Sequence, residues 1–325
     1  MRQAVLRALG LGAWVLCAAP ALAGDIVLDL PVACTLGESC YIQHYLDRDP
    51  GPGAGDFGCG SATYEGHDGT DFALPTLADM ARGVAVLAAA PGRVRAVRDG
   101  EADGAHAGGA DVGGKECGNG VVIDHEGGWQ TQYCHLKQGS VTVRPGQELA
   151  AGAPLGQVGM SGLADFPHLH LALRRDGEDI DPFLPEAAAG CTMAPPQALW
   201  RSPLPYVGGG LLQIGLSGAA PDYAQIKAGR SAAPAPATDA PALILWAYGF
   251  DSRAGDVIGF DITGPGGFAF SHEAAIEKPQ ALFLRYGGKR APPGGFAPGL
   301  YRATVRHLRA GAELDRQEIA LSLSR

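Results

Sequence analysis

The chain lacks any cluster of lysine or arginine residues large enough to neutralise a nucleic-acid backbone. Its 25 basic residues are outnumbered by 34 acidic residues, and the formal net charge is −9 at pH 7. A protein that binds nucleic acid needs a basic face for the phosphates. The composition therefore argues against nucleic acid as a partner.

Cys-x-x-Cys pairs are absent from the chain, and charged residues are scarce. The chain has seven cysteines but no Cys-x-x-Cys pair, which argues against a zinc site built from cysteines. Charged residues make up only 18% of the chain, whereas there are 49 glycines and 24 prolines. This composition predicts many turns and short strands rather than long helices. We therefore expect an all-β protein with one or two domains.

The first 25 residues have the composition of an export signal. Arg2 and Arg7 precede an apolar run, and Ala21–Ala23 has the small-x-small arrangement at which a signal peptidase cuts. A membrane anchor is the alternative, but the run is short and is followed by Pro20. We predict a signal peptide over residues 1–23 and a periplasmic or secreted mature protein with a net charge of −11, since two arginines are removed. No later stretch is apolar enough to span a membrane.

Six cysteines remain after the signal peptide, and in an oxidising compartment they can form up to three disulfides. One pairing follows from local structure. Cys117 and Cys134 flank two predicted strands around a turn at Glu126–Gly128, so the two cysteines lie nearly opposite each other on a hairpin. Cys191 is a candidate for joining the following segment to the first domain, and its partner stays open.

The chain divides into two predicted β-rich units. Short strands punctuated by glycine run through residues 83–181, which favours an antiparallel β-sandwich domain over residues 24–190. Residues 191–205 are rich in proline and alanine and are predicted to be a linker. Residues 98–118 lack periodicity and are predicted to form a long surface loop.

Residues 206–325 are predicted to form a smaller domain of unknown role. Between residues 300 and 308, Tyr301, Ala303, Val305 and His307 alternate with polar residues, as in a strand that has one buried face. With the neighbouring apolar stretches, this pattern suggests roughly seven strands in an immunoglobulin-like sandwich. Its topology is not determined by the sequence.

Three short motifs carry candidate chemistry. They are His67-x-x-x-Asp71, His135 at the end of the predicted hairpin, and His168-x-His170. Side chains at positions i and i+2 of a strand point to the same face, so a His-x-His pair can converge on one site. Two imidazoles and a carboxylate are a common catalytic zinc set, with one position left for water. Each motif alone could be structural, but together they indicate a zinc centre.

The sequence around these motifs resembles a known family. "GHDGTDFAL", "GNGVVIDHEGGWQTQYCHL", "VRPGQELAAGAPLGQVGMSG" and "PHLHL" occur in the order and spacing of the lysostaphin/LytM-type zinc metallopeptidases, and the match covers about residues 60–182. The resemblance implies a zinc endopeptidase that cuts peptidoglycan stem peptides or cross-links. It also implies that His67, Asp71 and His170 bind zinc (Zn2+), and that His135 and His168 are the catalytic pair.

The sequence leaves several alternatives open. A non-catalytic relative that binds the cell wall or activates an amidase would keep the fold but lose metal ligands, and all five positions are present here. A phosphocarrier or lipoyl-type domain would have similar strands, but the predicted export signal argues against it. Departures from the family pattern, such as Phe166 beside the His-x-His motif, bear on specificity. A regulatory protein partner and the oligomeric state stay open.

Overall fold

The computed structural model describes residues 25–104, 106, 109–186, 190–192, 198–230 and 236–324. The predicted signal peptide therefore lies outside the described residues. Among the residues that are described, no helix is long and apolar enough to cross a membrane. We call residues 25–204 the N-terminal region and residues 205–324 the C-terminal region, because each contains its own hydrophobic core.

The N-terminal region is built almost entirely of antiparallel strands. Its strands are β1 (Tyr41–His44), β2 (Thr70–Ala73), β3 (Ala85–Leu87), β4 (Gly92–Arg98), β5 (Asn119–Asp124), β6 (Trp129–Leu136), β7 (Glu148–Leu149), β8 (Pro154–Gln157), β9 (His168–Arg175) and β10 (Glu178–Asp179), with one short helix, α1 (Leu77–Arg82). The main sheet has the order β1-β2-β9-β6-β5-β4-β7, with β10 paired to β9, and β3 pairs with β8.

Strand β9 separates the core from the face that carries the histidines. Leu169, Leu171 and Leu173 are fully buried and pack in the first core. Because side chains alternate along a strand, His168 and His170 lie on the opposite face. The chain therefore places both histidines of the His-x-His motif on one face of a central strand.

The described part of the C-terminal region contains seven strands in two antiparallel sheets. They are β11 (Gly210–Ser217), β12 (Ala242–Ser252), β13 (Val257–Gly264), β14 (Phe268–Ala275), β15 (Gln280–Arg290), β16 (Gly299–Arg309) and β17 (Ala312–Leu323), with the helix α2 (Tyr223–Lys227). The sheet orders are β11-β12-β15 and β14-β13-β16-β17. The all-β prediction is confirmed, whereas the immunoglobulin-like type stays a prediction. The alternating residues of β16, Tyr301, Ala303, Val305 and His307, are buried as expected.

Three disulfides lie in the N-terminal region. The predicted pair Cys117–Cys134 is confirmed, since it joins residues on either side of the β5–β6 hairpin. Cys34 pairs with Cys40, and Cys59 pairs with Cys191 across 132 residues of sequence. Cys191 thus returns the start of the predicted linker to the first domain. Further along that segment, Trp200 packs in the core of the N-terminal region.

The two regions are in direct contact beside strand β1. Phe250 of β12 packs on Tyr41 of β1, with ring centroids 4.4 Å apart, and both side chains are buried with Ala73. Next to them, Gln43 Nε2 donates a hydrogen bond to the carbonyl of Ala281 at 3.0 Å. These contacts place the ends of β12 and β15 beside the histidine face of the main sheet.

Candidate metal centre

The three residues predicted to be metal ligands meet at one point. Asp71 of β2 and His170 of β9 are paired across the sheet, and His67 lies in the turn that leads into β2. His67 Nε2 and His170 Nδ1 lie 3.1 and 3.0 Å from Asp71 Oδ1, and the two nitrogens are 3.2 Å apart. All three residues are buried.

Glycine at position 69 permits this close approach. A Cβ atom there would lie 2.6 Å from the carbonyl oxygen of Leu171 and 2.7 Å from the ring of His170. Contacts this short do not occur in real structures, so any larger residue would push β2 away from β9. The glycine of the His67–Asp71 motif is therefore needed for packing against the His-x-His strand.

The hydrogen bonds of the two histidines determine which ring nitrogens are free. His67 Nδ1 donates to the carbonyl of Tyr45 at 2.7 Å, so a neutral His67 has its lone pair on Nε2. His170 Nε2 lies 3.1 Å from the Asp68 carboxylate, which leaves the lone pair of a neutral His170 on Nδ1. Two lone pairs and the carboxylate of Asp71 thus point at one another. Such an arrangement requires a cation between them.

The electrostatics of the centre agree with this requirement. Although burial lowers the pKa of His170, hydrogen bonds to Asp68 and Asp71 raise it to about 9. Burial also opposes ionisation of Asp71, but interactions with the neighbouring imidazoles of His67 and His168, together with hydrogen bonds to His170 and His44, hold the pKa of its carboxyl well below the usual range. The centre therefore combines an ionised carboxylate with the basic imidazole of His170, which is the chemistry of a metal site.

The donor set fits zinc. Its ligand atoms all lie within 4.8 Å of one another, and two imidazoles with one carboxylate leave a fourth position open in a tetrahedral site. Asp68 orients His170 and is itself held by Arg174 Nη2 at 3.0 Å. The hydrogen bond from His170 lowers the pKa of Asp68 to about 2. Arg174, on the same strand as His170, thus supports a candidate ligand.

The two histidines proposed as catalytic lie next to this centre. The rings of His135 and His168 have centroids 4.6 Å apart, and His168 Nε2 is 3.7 Å from Asp71 Oδ1. Each ring donates through Nδ1 to a backbone carbonyl, that of Ser161 for His135 and that of Phe166 for His168. Both neutral rings consequently have their lone pairs on Nε2.

Burial keeps this pair of histidines neutral. It lowers the pKa of His168, and it lowers the pKa of His135 well below the usual range, with a further contribution from the neighbouring imidazole of His168. His135 also has a φ of 62°, a left-handed conformation that non-glycine residues rarely adopt. Strained backbone of this kind clusters at functional sites.

His44 is the residue of this site that sequence analysis missed. Strand β1 pairs with β2 so that His44 lies opposite Asp71, and His44 Nδ1 is 3.0 Å from Asp71 Oδ2. His44 therefore holds one carboxylate oxygen, while the other faces His67 and His170. No local signal marks it, because His44 lies outside every motif and reaches the centre only through strand pairing.

The centre opens into a cleft of about 590 Å³. Asp71 and His168 lie in it, Tyr64 and Phe166 form its rim on the N-terminal region, and residues of the C-terminal region form the opposite side. His106, in the 98–118 segment predicted to be a surface loop, also lines this cleft.

Comparisons with known proteins agree with the motifs. Residues 65–182 match Peptidase family M23. The chain is 31% identical over 115 residues to the peptidoglycan DD-endopeptidase ShyA of Vibrio cholerae, covering 35% of this chain and 22% of ShyA. It is 30% identical over 131 residues to an uncharacterised metalloprotease of Haemophilus influenzae, covering 39% of this chain and 23% of that protein. The match thus spans less than a quarter of these curated relatives.

Two solved structures are also similar to this chain. A zinc-containing peptidase from Vibrio cholerae is 25% identical, with a TM-score of 0.28, over 44% of this chain and 39% of that chain. A point mutant of the catalytic domain of the prophage-encoded M23 protein EnpA from Enterococcus faecalis is 22% identical, with a TM-score of 0.32, over 48% of this chain and 96% of that chain. From the family match, together with the motifs and their convergence, residues 65–182 of this chain form a domain of peptidase family M23.

Proposed function

We propose that the protein is an exported zinc-dependent endopeptidase that hydrolyses peptide bonds in peptidoglycan stem peptides or cross-links. The observation that carries this proposal is the convergence of lone pairs from His67 and His170 with the carboxylate of Asp71, beside two neutral histidines. Zinc, when bound by the first three residues, would polarise a carbonyl group as a Lewis acid and would lower the pKa of water to about 7.

In this scheme, histidines of the protein accept and donate the proton of the attacking water. His135 and His168 are neutral, with Nε2 available, so one of them can accept the proton of the attacking water. The resulting imidazolium can stabilise the oxyanion and then protonate the leaving amine. The hydrogen bonds from Nδ1 to the backbone hold each ring in the tautomer that this role needs. We assign the two roles to the pair and not to either histidine separately.

The substrate and the compartment are inferred separately. The name of ShyA, a peptidoglycan DD-endopeptidase, supports peptidoglycan as the substrate. Three disulfides and the signal-like first 23 residues support export to an oxidising compartment. Peptidoglycan lies in that compartment, so the two inferences agree.

Mass spectrometry of the fragments released from purified sacculi tests the proposal. Protein comprising residues 24–325, loaded with zinc, should convert cross-linked fragments into monomers, and the same protein treated with a chelator should not. The mass of each product identifies the bond that is cut. If zinc is bound and nothing is released, the proposal fails for this substrate, and a regulated, partner-dependent or differently targeted enzyme takes its place.

A further inference from the structure

The cleft beside the metal centre has two walls from different parts of the chain. His44, Tyr64, Phe166 and His168 line it from the N-terminal region. The opposite side is formed by strand ends of the C-terminal region, including Asp251 and Leu282. Any molecule that reaches the centre through this cleft must therefore contact both regions.

The second wall is held in place by packing. Phe250 directly precedes Asp251 and is buried against Tyr41. Tyr248 Oη donates to the carbonyl of Pro75 at 3.3 Å, two residues further back along the same strand. Since these contacts anchor β12 to Tyr41 of β1 and to Pro75 after β2, the position of Asp251 relative to the centre is set by the fold.

The carboxylate of Asp251 has a buried oxygen atom that accepts no hydrogen bond from the described residues. The residue is only 8% exposed, and its Oδ2 atom is buried with no hydrogen-bond partner among the described residues. Two arginines lie beside it: Arg253 Nη2 is 3.9 Å from Oδ2, and Arg309 Nη2 donates to the backbone carbonyl of Asp251 at 2.8 Å. Burial raises the pKa of the carboxyl to about 6, against opposing effects of Arg253 and Arg309. A buried carboxylate normally has hydrogen bonds that offset its lost hydration.

The backbone at Asp251 is strained as well. Its φ is 43°, in the left-handed region that non-glycine residues avoid. Asp251 lies next to the last residue of β12 and lines the cleft. Strained backbone and an unsatisfied buried anion are both costly, and such features are retained at binding sites.

We propose that the substrate peptide binds between the two regions and that Asp251 binds an ammonium group of that peptide. The inference rests on the proposed function, because it names a group of that substrate. An ammonium group supplies the N–H donors that the Asp251 carboxylate lacks among the described residues. A peptide offers such a group either on a side chain or at its amino terminus, and the experiment separates these sources.

The test uses zinc-loaded protein of residues 24–325 and three synthetic peptides of stem-peptide sequence with one lysine. One peptide has both amines free, one has the lysine side chain acetylated, and one has the amino terminus acetylated. We expect kcat/KM for the free peptide to exceed that for one acetylated peptide by about tenfold or more, as for hydrogen bonds to charged groups. The acetylated position that loses activity identifies the amine.

Two substitutions of the same chemistry make the test specific to one carboxylate. Asp251→Asn should abolish the preference by raising KM for the free peptide. Asp165→Asn should leave it intact, because Asp165 lines the same cleft but is exposed, where charges are screened. Asparagine tolerates left-handed φ values, so Asp251→Asn can keep the backbone, and unchanged thermal unfolding verifies the fold.

The outcomes separate this inference from the proposed function. Cleavage with no preference, or with the preference retained in Asp251→Asn, overturns the role of Asp251 and leaves the endopeptidase standing. Absence of cleavage contradicts the endopeptidase for these peptides, and fluorescence anisotropy of labelled, uncleaved peptide then measures binding directly. Equal binding of the three peptides, or equal binding by wild type and Asp251→Asn, overturns the inference in that case.

Discussion

The N-terminal and C-terminal regions each bury histidine beside aspartate, but the partners of the two aspartates differ. In the C-terminal region, Asp256 accepts hydrogen bonds from His307 Nε2 at 2.8 Å and from Arg309 Nε at 3.0 Å and Nη2 at 2.8 Å. The backbone N–H of Arg253 adds a fourth, at 2.9 Å. This aspartate is saturated with donors.

In the N-terminal region, Asp71 faces ring nitrogens that have lone pairs in the neutral state. The same residue types therefore make a self-contained ionic network in one region and a site that needs a cation in the other. The number of protons and donors around the carboxylate, and not the presence of histidine and aspartate, distinguishes the two. Four predictions follow from the comparison of the two regions, from the largest expected effect to the smallest.

The largest effect is expected at the metal ligands. His170→Ala should reduce bound zinc from about one ion per chain to nearly none, since it removes one of three protein ligands, and it should abolish peptide hydrolysis. His168→Ala should abolish hydrolysis while keeping zinc. Metal analysis after dialysis measures the zinc content of each variant, and release of fragments from sacculi measures hydrolysis. If the two variants lose zinc equally, His168 is a ligand and the assignment is wrong.

The disulfides offer a second contrast, because all six cysteines that form them belong to the N-terminal region. Replacing Cys59 and Cys191 by serine opens a loop of 132 residues, whereas replacing Cys34 and Cys40 opens one of 6. Chain entropy predicts that the first pair costs about 2–3 kcal/mol more of unfolding free energy than the second. Urea denaturation of both double variants measures the difference. Equal losses would show that native contacts, and not loop length, dominate.

The saturated network should matter for stability alone. Asp256→Ala leaves Arg309 and His307 without their partner, and we expect a loss of about 2–3 kcal/mol in unfolding free energy, because Arg309 is partly exposed. Zinc content should stay unchanged. Urea denaturation measures the unfolding free energy, and metal analysis of the folded variant measures its zinc content. Loss of zinc would mean that the two regions are coupled through their interface.

The smallest effect is expected at His44. His44→Ala frees Asp71 Oδ2 but leaves the three proposed ligands, and residues that orient ligands typically contribute about 10–100-fold to metal affinity. Competition with a chromophoric chelator measures the zinc dissociation constant. His272→Ala, an exposed histidine of the C-terminal region, is the matched control and should have no effect. Unchanged affinity in His44→Ala would contradict a positioning role.

Much of the candidate site was predictable because its signals are local. A His-x-His pair on a strand must share a face, and a hairpin brings Cys117 opposite Cys134, so both follow from periodicity and turn chemistry. The buried alternation of β16 follows from the same rule. The roles of the five motif residues and the domain boundaries stay predictions.

Other features depended on contacts between distant parts of the chain. His44 reaches Asp71 because β1 pairs with β2, and Asp251 reaches the cleft because Phe250 packs on Tyr41. The partner of Cys191 depends on how the chain returns after 132 residues. The sequence next to each of these residues does not indicate which distant residue it will contact.

The sequence by itself determined the strand periods and the cysteine hairpin, because each depends on spacing within a few residues, and its resemblance to a metallopeptidase family implied the five site residues. Only the tertiary structure decided which oxygen of Asp71 stays free for a cation, which histidine holds the other, and what forms the far wall of the cleft. These are set by strand pairing and domain packing, whose energies come from residues far apart in the chain.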